Sequence, residues 1–241
     1  MQFAEIRVAG IEDVRRMFSD AGLGDSVPKA LKVAINETGK RVRDRLTAHI
    51  KGAGIFDRPN PRTQSSIRYV SMSDTKNRPE SYVEVSHEGD GGIAPVKYLW
   101  AEIHGGQRAL KRSEVMLREK GILPRGMITR PGPHADIDQY GNMKGGQIVQ
   151  ILSQLQAFSE VGYRANANKP GSGKYSYFVK KNKGIFRRVK GARGAIEAMM
   201  FFVKSPTYKK RFDFYGIGQE AAAHYLPIEA SKSLDYALKH Y

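Results

Sequence analysis

Apolar residues recur at three- and four-residue steps over Leu31, Ala34, Ile35, Thr38, Val42, Leu46 and Ile50. That spacing puts them on one stripe and predicts a long amphipathic helix. Lys29, Lys32, Lys40, Arg41, Arg43 and Arg45 take much of the remaining circumference. Ser26 is placed to cap its N-terminus, Pro28 fits the first turn where its missing N–H costs nothing, and Gly52 and Gly54 stop it. Gly39 inside the helix costs about 1 kcal/mol against Ala, which suggests a close approach of another element there. Upstream, Gln2–Val8 alternates apolar and polar and predicts a strand. A helix over Ile11–Ala21, with Val14, Met17 and Phe18 on one face, is expected to follow.

Beyond the long helix, Asp57–Gln64 carries Pro59 and Pro61 and is expected to be an extended connector. Ser66–Ser73 and Tyr82–Glu88 read as a β-hairpin around the turn-rich Asp74–Pro79. Lys97–His104 is a strand or short helix ended by Gly105-Gly106, and Ser113 is placed to cap a helix through Lys120. Gly121–Gly146, rich in Gly and Pro, reads as irregular, with a helix from Gly146 or Gln147 carrying the stripe Ile148, Ile151, Leu152, Leu155 and Phe158. Asn166–Lys174 reads as a linker. Tyr175–Lys181 and Gly184–Lys190 predict a hairpin about Asn182-Lys183-Gly184. The apolar run Ala198–Lys204 predicts a central strand. Two helices, Ile217–Tyr225 and Ile228–His240, are expected to meet at Pro227.

Charge changes this picture. The chain of 241 residues carries a formal +16, and its hydrophobic fraction of 40 % suits a soluble globular protein with a core needing no staples. Fourteen of its Lys and Arg lie between Arg164 and Tyr215, opposed only by Glu197 and Asp213, so this stretch holds +12 of the total. Tyr175, Tyr177, Phe178, Phe186, Phe201, Phe202, Phe212, Phe214 and Tyr215 are threaded through it. A solvated tail has few aromatics, so the stretch is folded and presents a cationic face to an anionic partner. Lys180, Lys181, Lys183, Arg187, Arg188, Lys190, Arg193, Lys209, Lys210 and Arg211 are the residues expected to face an acidic protein or DNA. Most of the rings are expected in the core, since aromatics in strands alternate inward. The absence of cysteine excludes disulfides, thiolate zinc sites and cysteine nucleophiles. There is no apolar run long enough for a membrane span, and Met1–Gly10 lacks the regions of a secretory signal, so synthesis in a cytoplasm is expected.

Candidate catalytic chemistry is thin. Glu220 and His224 share a helix face at metal-ligand spacing but lack a third ligand. His134, Asp136 and Asp138 fit an Asx-turn or helix-start contact better than a calcium loop, which needs a closing Glu. His87-Glu88-Gly89-Asp90 could hold an acid and a base but falls at a hairpin end. Gly171-Ser172-Gly173-Lys174 lacks the earlier glycine of a phosphate loop. No catalytic residue, metal site or cofactor is therefore expected.

Three segments resemble tailed-bacteriophage virion proteins. The first is Ala34-Ile35-Asn36-Glu37-Thr38 with Val42-Arg43 and the downstream Asn60-Pro61-Arg62-Thr63-Gln64-Ser65-Ser66-Ile67. This combination is similar to the lambda-type minor tail protein Z family and to head–tail joining (tail-completion) proteins. The second is Tyr98-Leu99 with Ile103, Gly105-Gly106, Arg108 and Lys111. The third is Leu123-Pro124, Asp138 with Tyr140-Gly141-Asn142-Met143, and Gly146-Gln147-Ile148 with Ile151-Leu152. These two look like a block that recurs in phage and prophage structural proteins. The resemblance implies a non-enzymatic virion component that forms a homo-oligomeric ring at the neck, head–tail junction or upper tail. Its partners would be neighbouring portal, adaptor or tail proteins, with DNA as a further contact and no membrane. The expected fold is α+β: the long helix on an antiparallel sheet built from the Ile67, Val83 and Phe201 regions, with the Ile148 helix covering part of it. Residues 1–165 are expected to form this core, and residues 166–241 a basic hairpin segment with C-terminal helices on the same core. The rival reading is a nucleic-acid-binding protein using Lys180, Lys181, Arg187, Arg188 and Lys190.

Overall fold

The stripe from Leu31 to Ile50 is the spine of the fold. The computed structural model describes residues 4–8, 16, 27–52, 54–72, 80–88, 93–158, 175–189 and 195–240. In it, helix α1 spans Val27–Gly52, and every residue of the predicted stripe is at most 5 % exposed. The predicted helix over Ile11–Ala21, the Ser26 cap, the Asp74–Pro79 turn and the Asn166–Lys174 linker lie outside the described residues, Arg16 apart.

Helix α1 packs on a three-stranded antiparallel sheet in the order β1–β3–β2, formed by Glu5–Val8, Ile67–Met72 and Glu80–Val85. Strand β3 alternates, burying Ser81, Val83 and Val85. The Ser81 hydroxyl donates to the Ile35 carbonyl at 3.2 Å. A Cβ on Gly39 would sit 2.6 Å from Ser81 Oγ and 2.7 Å from the Tyr69 ring, so the glycine does mark a close approach of helix to sheet. The expected extended connector contains one helical turn, α2 (Pro61–Gln64), with Pro61 at its start. Asn60 Oδ1 accepts from Thr63 N–H at 2.8 Å, which satisfies a donor the turn would otherwise leave open. Lys97–His104 is helical, within α3 (Pro95–His104).

The chain divides into two compact units. One comprises Met1–Gly106 with Tyr208–Tyr241, the other Gln107–Thr207. This differs from the boundary expected at residue 165, because residues 166–241 are shared between the two. The first unit closes on itself where the chain leaves and returns: Gly106 N–H donates to Tyr208 O at 3.0 Å and Tyr208 N–H to Gly106 O at 2.8 Å. Its last helix follows that return and packs along α1.

The second unit holds α4 (Arg112–Glu119), α5 (Gly145–Gln154) and a four-stranded antiparallel sheet ordered β4–β7–β6–β5. The strands are β4 (Met127–Pro131), β5 (Tyr175–Lys180), β6 (Gly184–Val189) and β7 (Ile196–Lys204). Leu117, Leu123, Ile151, Leu152, Ile185, Met199 and Phe202 form its core. The class is α+β, as expected, but the Phe201 strand belongs to this second sheet and not to that of Ile67 and Val83. The Ile148 helix, α5, likewise packs in this unit, against α4 and β5. The Gly121–Gly146 stretch contains β4, which pairs with β7 along its whole length. Lys111, rather than Ser113, caps α4: Glu114 reaches back to accept from Lys111 N–H at 2.8 Å. In the first unit the two helices expected about Pro227 are one, α6 (Phe214–His240).

Candidate functional site

Strands β5 and β6 form the predicted hairpin. Their turn is Lys181–Lys183, with Asn182 at φ +58° and Lys183 N–H donating to Lys180 O at 3.0 Å. Asn tolerates that left-handed conformation better than most residues. Gly184 then starts β6 against β7, where a Cβ would lie 2.0 Å from the Met200 carbonyl oxygen. No side chain fits there, so the basic hairpin is tied to the central strand at its tip.

Period-two alternation gives the hairpin two unlike faces. Inward it presents Tyr177, Val179 and Ile185 to the core, beside Met200 and Phe202 of β7. Arg187 is on this side too. It is paired with Glu197, and its guanidinium lies 4.2 Å from the centre of the Tyr175 ring. Burial works most strongly against the Arg187 charge, but Glu197, with Tyr177 and Tyr175, pushes its pKa up.

The outer face carries a row of phenylalanines. Phe178 pairs directly with Phe186 across the hairpin, with centroids 6.1 Å apart and rings 29° from parallel. Phe186 meets Phe201 of β7 edge to face at 6.3 Å. Phe201 is 38 % exposed. Cations flank the row: Lys180 Nζ is 4.7 Å from the Phe186 centroid and the Arg188 guanidinium 5.5 Å from that of Phe178. Arg130 of β4 stands opposite Phe201 in register and is exposed. Lys181 and Lys183 are exposed at the hairpin tip. Glu197 is the sole carboxylate of β5, β6 and β7, and it is engaged by Arg187.

The ten cations expected to share one surface do not all meet. Lys180, Lys181, Lys183 and Arg188 cluster on the hairpin, and Arg187 is paired on its inner face. Lys190 and Arg193 lie outside the described residues. Lys209, Lys210 and Arg211 belong to the other unit. There Lys210 pairs with Asp213 at 2.7 Å, and Arg211 makes two bonds to buried Glu102 at 2.8 and 2.9 Å. Glu102 raises the Arg211 pKa, and Lys210 lowers that of Asp213. Lys209 is exposed.

The expectation that most rings are buried is corrected as well. Tyr177, Phe202, Phe212 and Phe214 are buried, whereas Tyr175, Phe178, Phe186, Phe201 and Tyr215 are not. Phe178, Phe186, Phe201 and Arg130 are thus the surface residues that sequence reasoning missed. The signal was there in part: Phe178 and Lys180, like Phe186 and Arg188, are two apart and share a strand face.

Two of the other candidate sites are engaged in structural contacts. Asp138 accepts from Tyr140 N–H at 2.9 Å and Asn142 N–H at 2.8 Å, an Asx-turn, while Asp136 accepts from the Gln147 amide of α5 at 2.9 Å. Glu88 pairs with Arg68, and His87 lies 3.5 Å from Glu84. Glu220 and His224 are both exposed on α6. The Gly171–Lys174 segment lies outside the described residues. Among the described residues no group of three His, Asp or Glu side chains gathers as a metal site, and no helix is long and apolar enough to cross a membrane. No family model, curated protein or solved structure matches the chain.

Proposed function

We propose that this protein is a non-enzymatic building block of a tailed-phage virion, a subunit that joins copies of itself into a ring at the neck, head–tail junction or upper tail. One observation carries the reading: the residues of the first phage-like motif are the ones that build the first unit. Ala34, Ile35 and Thr38 are fully buried where α1 meets the sheet. Asn60 caps the α2 turn, Ser66 Oγ donates to Thr63 O at 2.7 Å, and Ile67 opens β2. The motif is therefore a set of folding instructions, as expected where a resemblance is structural and not catalytic.

Ring subunits meet through unlike surfaces related by a closing rotation, and they need exposed apolar area to do so. Val33 of α1 and Ile228, Tyr236 and Leu238 of α6 are 53, 40, 61 and 54 % exposed and offer such area. Portal, adaptor or tail neighbours with acidic faces would meet the exposed cations, giving register and faster association more than raw affinity.

The test is direct. Light scattering and negative-stain images of the purified chain should show a closed ring, alone or on adding a neighbouring neck protein. Mass spectrometry should detect the chain in mature particles. A protein that stays monomeric with every neighbour tried and is missing from particles overturns the proposal. The rival reading, nucleic-acid binding, is favoured by the outer face of the second sheet.

A further inference from the structure

We propose that the outer face of the β4–β7–β6–β5 sheet binds single-stranded nucleic acid, with unpaired bases stacking on Phe178, Phe186 and Phe201 and phosphates held by Lys180, Arg188 and Arg130. The site stands on its own geometry and is independent of the virion reading.

Three features select this occupant. The first is the ring row. Phe201 is exposed and Phe178 and Phe186 are half-buried, so a row of rings on three neighbouring strands keeps apolar area in water that burial would recover. A four-stranded antiparallel sheet that presents aromatic rings is an arrangement able to stack two or three splayed bases. The second is charge. Lys180 and Arg188 lie against the rings themselves, Arg130 flanks Phe201, and Lys181 and Lys183 stand at the adjoining tip. The sole carboxylate of β5, β6 and β7 is engaged on the inner face, so these strands place no carboxylate on the outer face to repel a phosphate. The third is the combination. An acidic protein surface would be met by the cations but leaves the rings without a purpose. A duplex hides its base faces in its own stack. A single strand supplies a flat apolar surface and a phosphate at every step, and rings interleaved with cations match both.

The experiment measures fluorescence anisotropy of a labelled oligo(dT) single strand, and of a duplex of equal length, against the full chain over a salt series. We expect the single strand to bind more tightly than the duplex, with affinity falling as salt rises by a slope of about −0.7 per phosphate contact. Phe186→Leu and Phe201→Leu, which keep an apolar side chain and so the fold, should each weaken single-strand binding about tenfold without changing the salt slope. Phe201→Tyr should restore it. The Lys180→Gln, Arg188→Gln pair should flatten the slope. Circular dichroism on each variant reports folding, and the Lys180→Gln, Arg188→Gln pair, at exposed positions, keeps the test decisive if a leucine variant fails to fold, since an unchanged salt slope there would overturn the site. Absence of binding at low salt, equal affinity for the duplex, or leucine variants that bind as well as the parent would each overturn the site. Displacement by polyglutamate with no single-strand binding would assign the face to an acidic protein instead.

Discussion

Glu114 shows how much a single residue holds and how little of that is visible in its sequence neighbourhood. It is fully buried and accepts from Arg108 through both oxygens, at 2.7 and 2.8 Å. It also accepts from Lys111 N–H, Thr129 N–H and Thr129 Oγ1, so it ties the start of α4 to β4. Burial alone would raise its pKa, but Arg108 and the two backbone N–H groups outweigh burial and bring it down from 4.5 to about 2. A carboxylate with a depressed folded-state pKa contributes stability above its unfolded value, and this is lost as pH falls through the folded value. The window is therefore pH 4.5 to 2, and the linked free energy is about 3 kcal/mol. Glu114→Gln should lower stability at pH 7 by about 3 kcal/mol, since it removes the carboxylate charge that pairs with the mostly buried Arg108 guanidinium. In urea unfolding, the gap between parent and variant should close as the pH drops from 4.5 towards 2, and a gap that stays constant would rule out a role for the charge. The sequence pointed to Ser113 as the cap, because lysine is not among the preferred cap residues, and the tie to Thr129, fifteen positions on, leaves no local pattern at all. Gly39 was legible for the opposite reason. A glycine that breaks a strong helical pattern points to a tight contact even when its partners, here Tyr69 and Ser81, cannot be named.

Elements were legible where one face of the chain repeats and obscure where a partner strand or helix decides. The α1 stripe was read residue by residue, because burial against the sheet needs only its own period. Strand β4 was hidden between prolines and glycines. Its four residues before Pro131 carry no alternation long enough to detect, and pairing with β7 makes them a strand. Helix α6 was read as two because proline removes a backbone donor and crowds the preceding turn. It continues because its buried line runs through: Gly218 and Ala221 lie before Pro227, and Ala230, Ser233 and Ala237 after it. Those small residues let α6 lie close along α1, and Glu229, itself buried, reaches Arg41 of α1 at 3.5 Å. Tertiary packing thus outweighs a local penalty of about 3 kcal/mol. The proline is exposed and its ring makes no contribution to that line. Pro227→Ala should therefore stabilise the first unit by about 1 to 3 kcal/mol, seen as a higher unfolding midpoint in denaturant. An unchanged or lower midpoint would mean that the proline sets a bend the packing requires.

At the scale of the whole molecule, the basic block of residues 164–215 crosses the boundary between the two units. The boundary was illegible because nothing local marks it. It is set by the Gly106–Tyr208 bridge, which joins residues about a hundred positions apart. On the returning segment, Arg211 N–H and Phe212 N–H both donate to Glu102 O at 2.9 Å, and Phe212 and Phe214 are fully buried in the first core. The first unit therefore holds both ends of the excursion with its own contacts, and the loop it must close after excision is short. Replacing residues 107–207 with a two-residue Asn-Gly turn, which suits an antiparallel junction, should leave the first unit folded and cooperative. Its helical circular dichroism should persist, and its stability should fall by no more than about 2 kcal/mol. The shortened chain also separates the two proposed functions. Ring formation carried by α1 and α6 should survive the excision, while single-strand binding, which depends on Phe178, Phe186 and Phe201, should be lost entirely. If the shortened chain still captures the single strand, the rings are not the site. If it folds but no longer assembles, the inserted unit supplies the subunit contact, and the exposed residues of α1 and α6 do not.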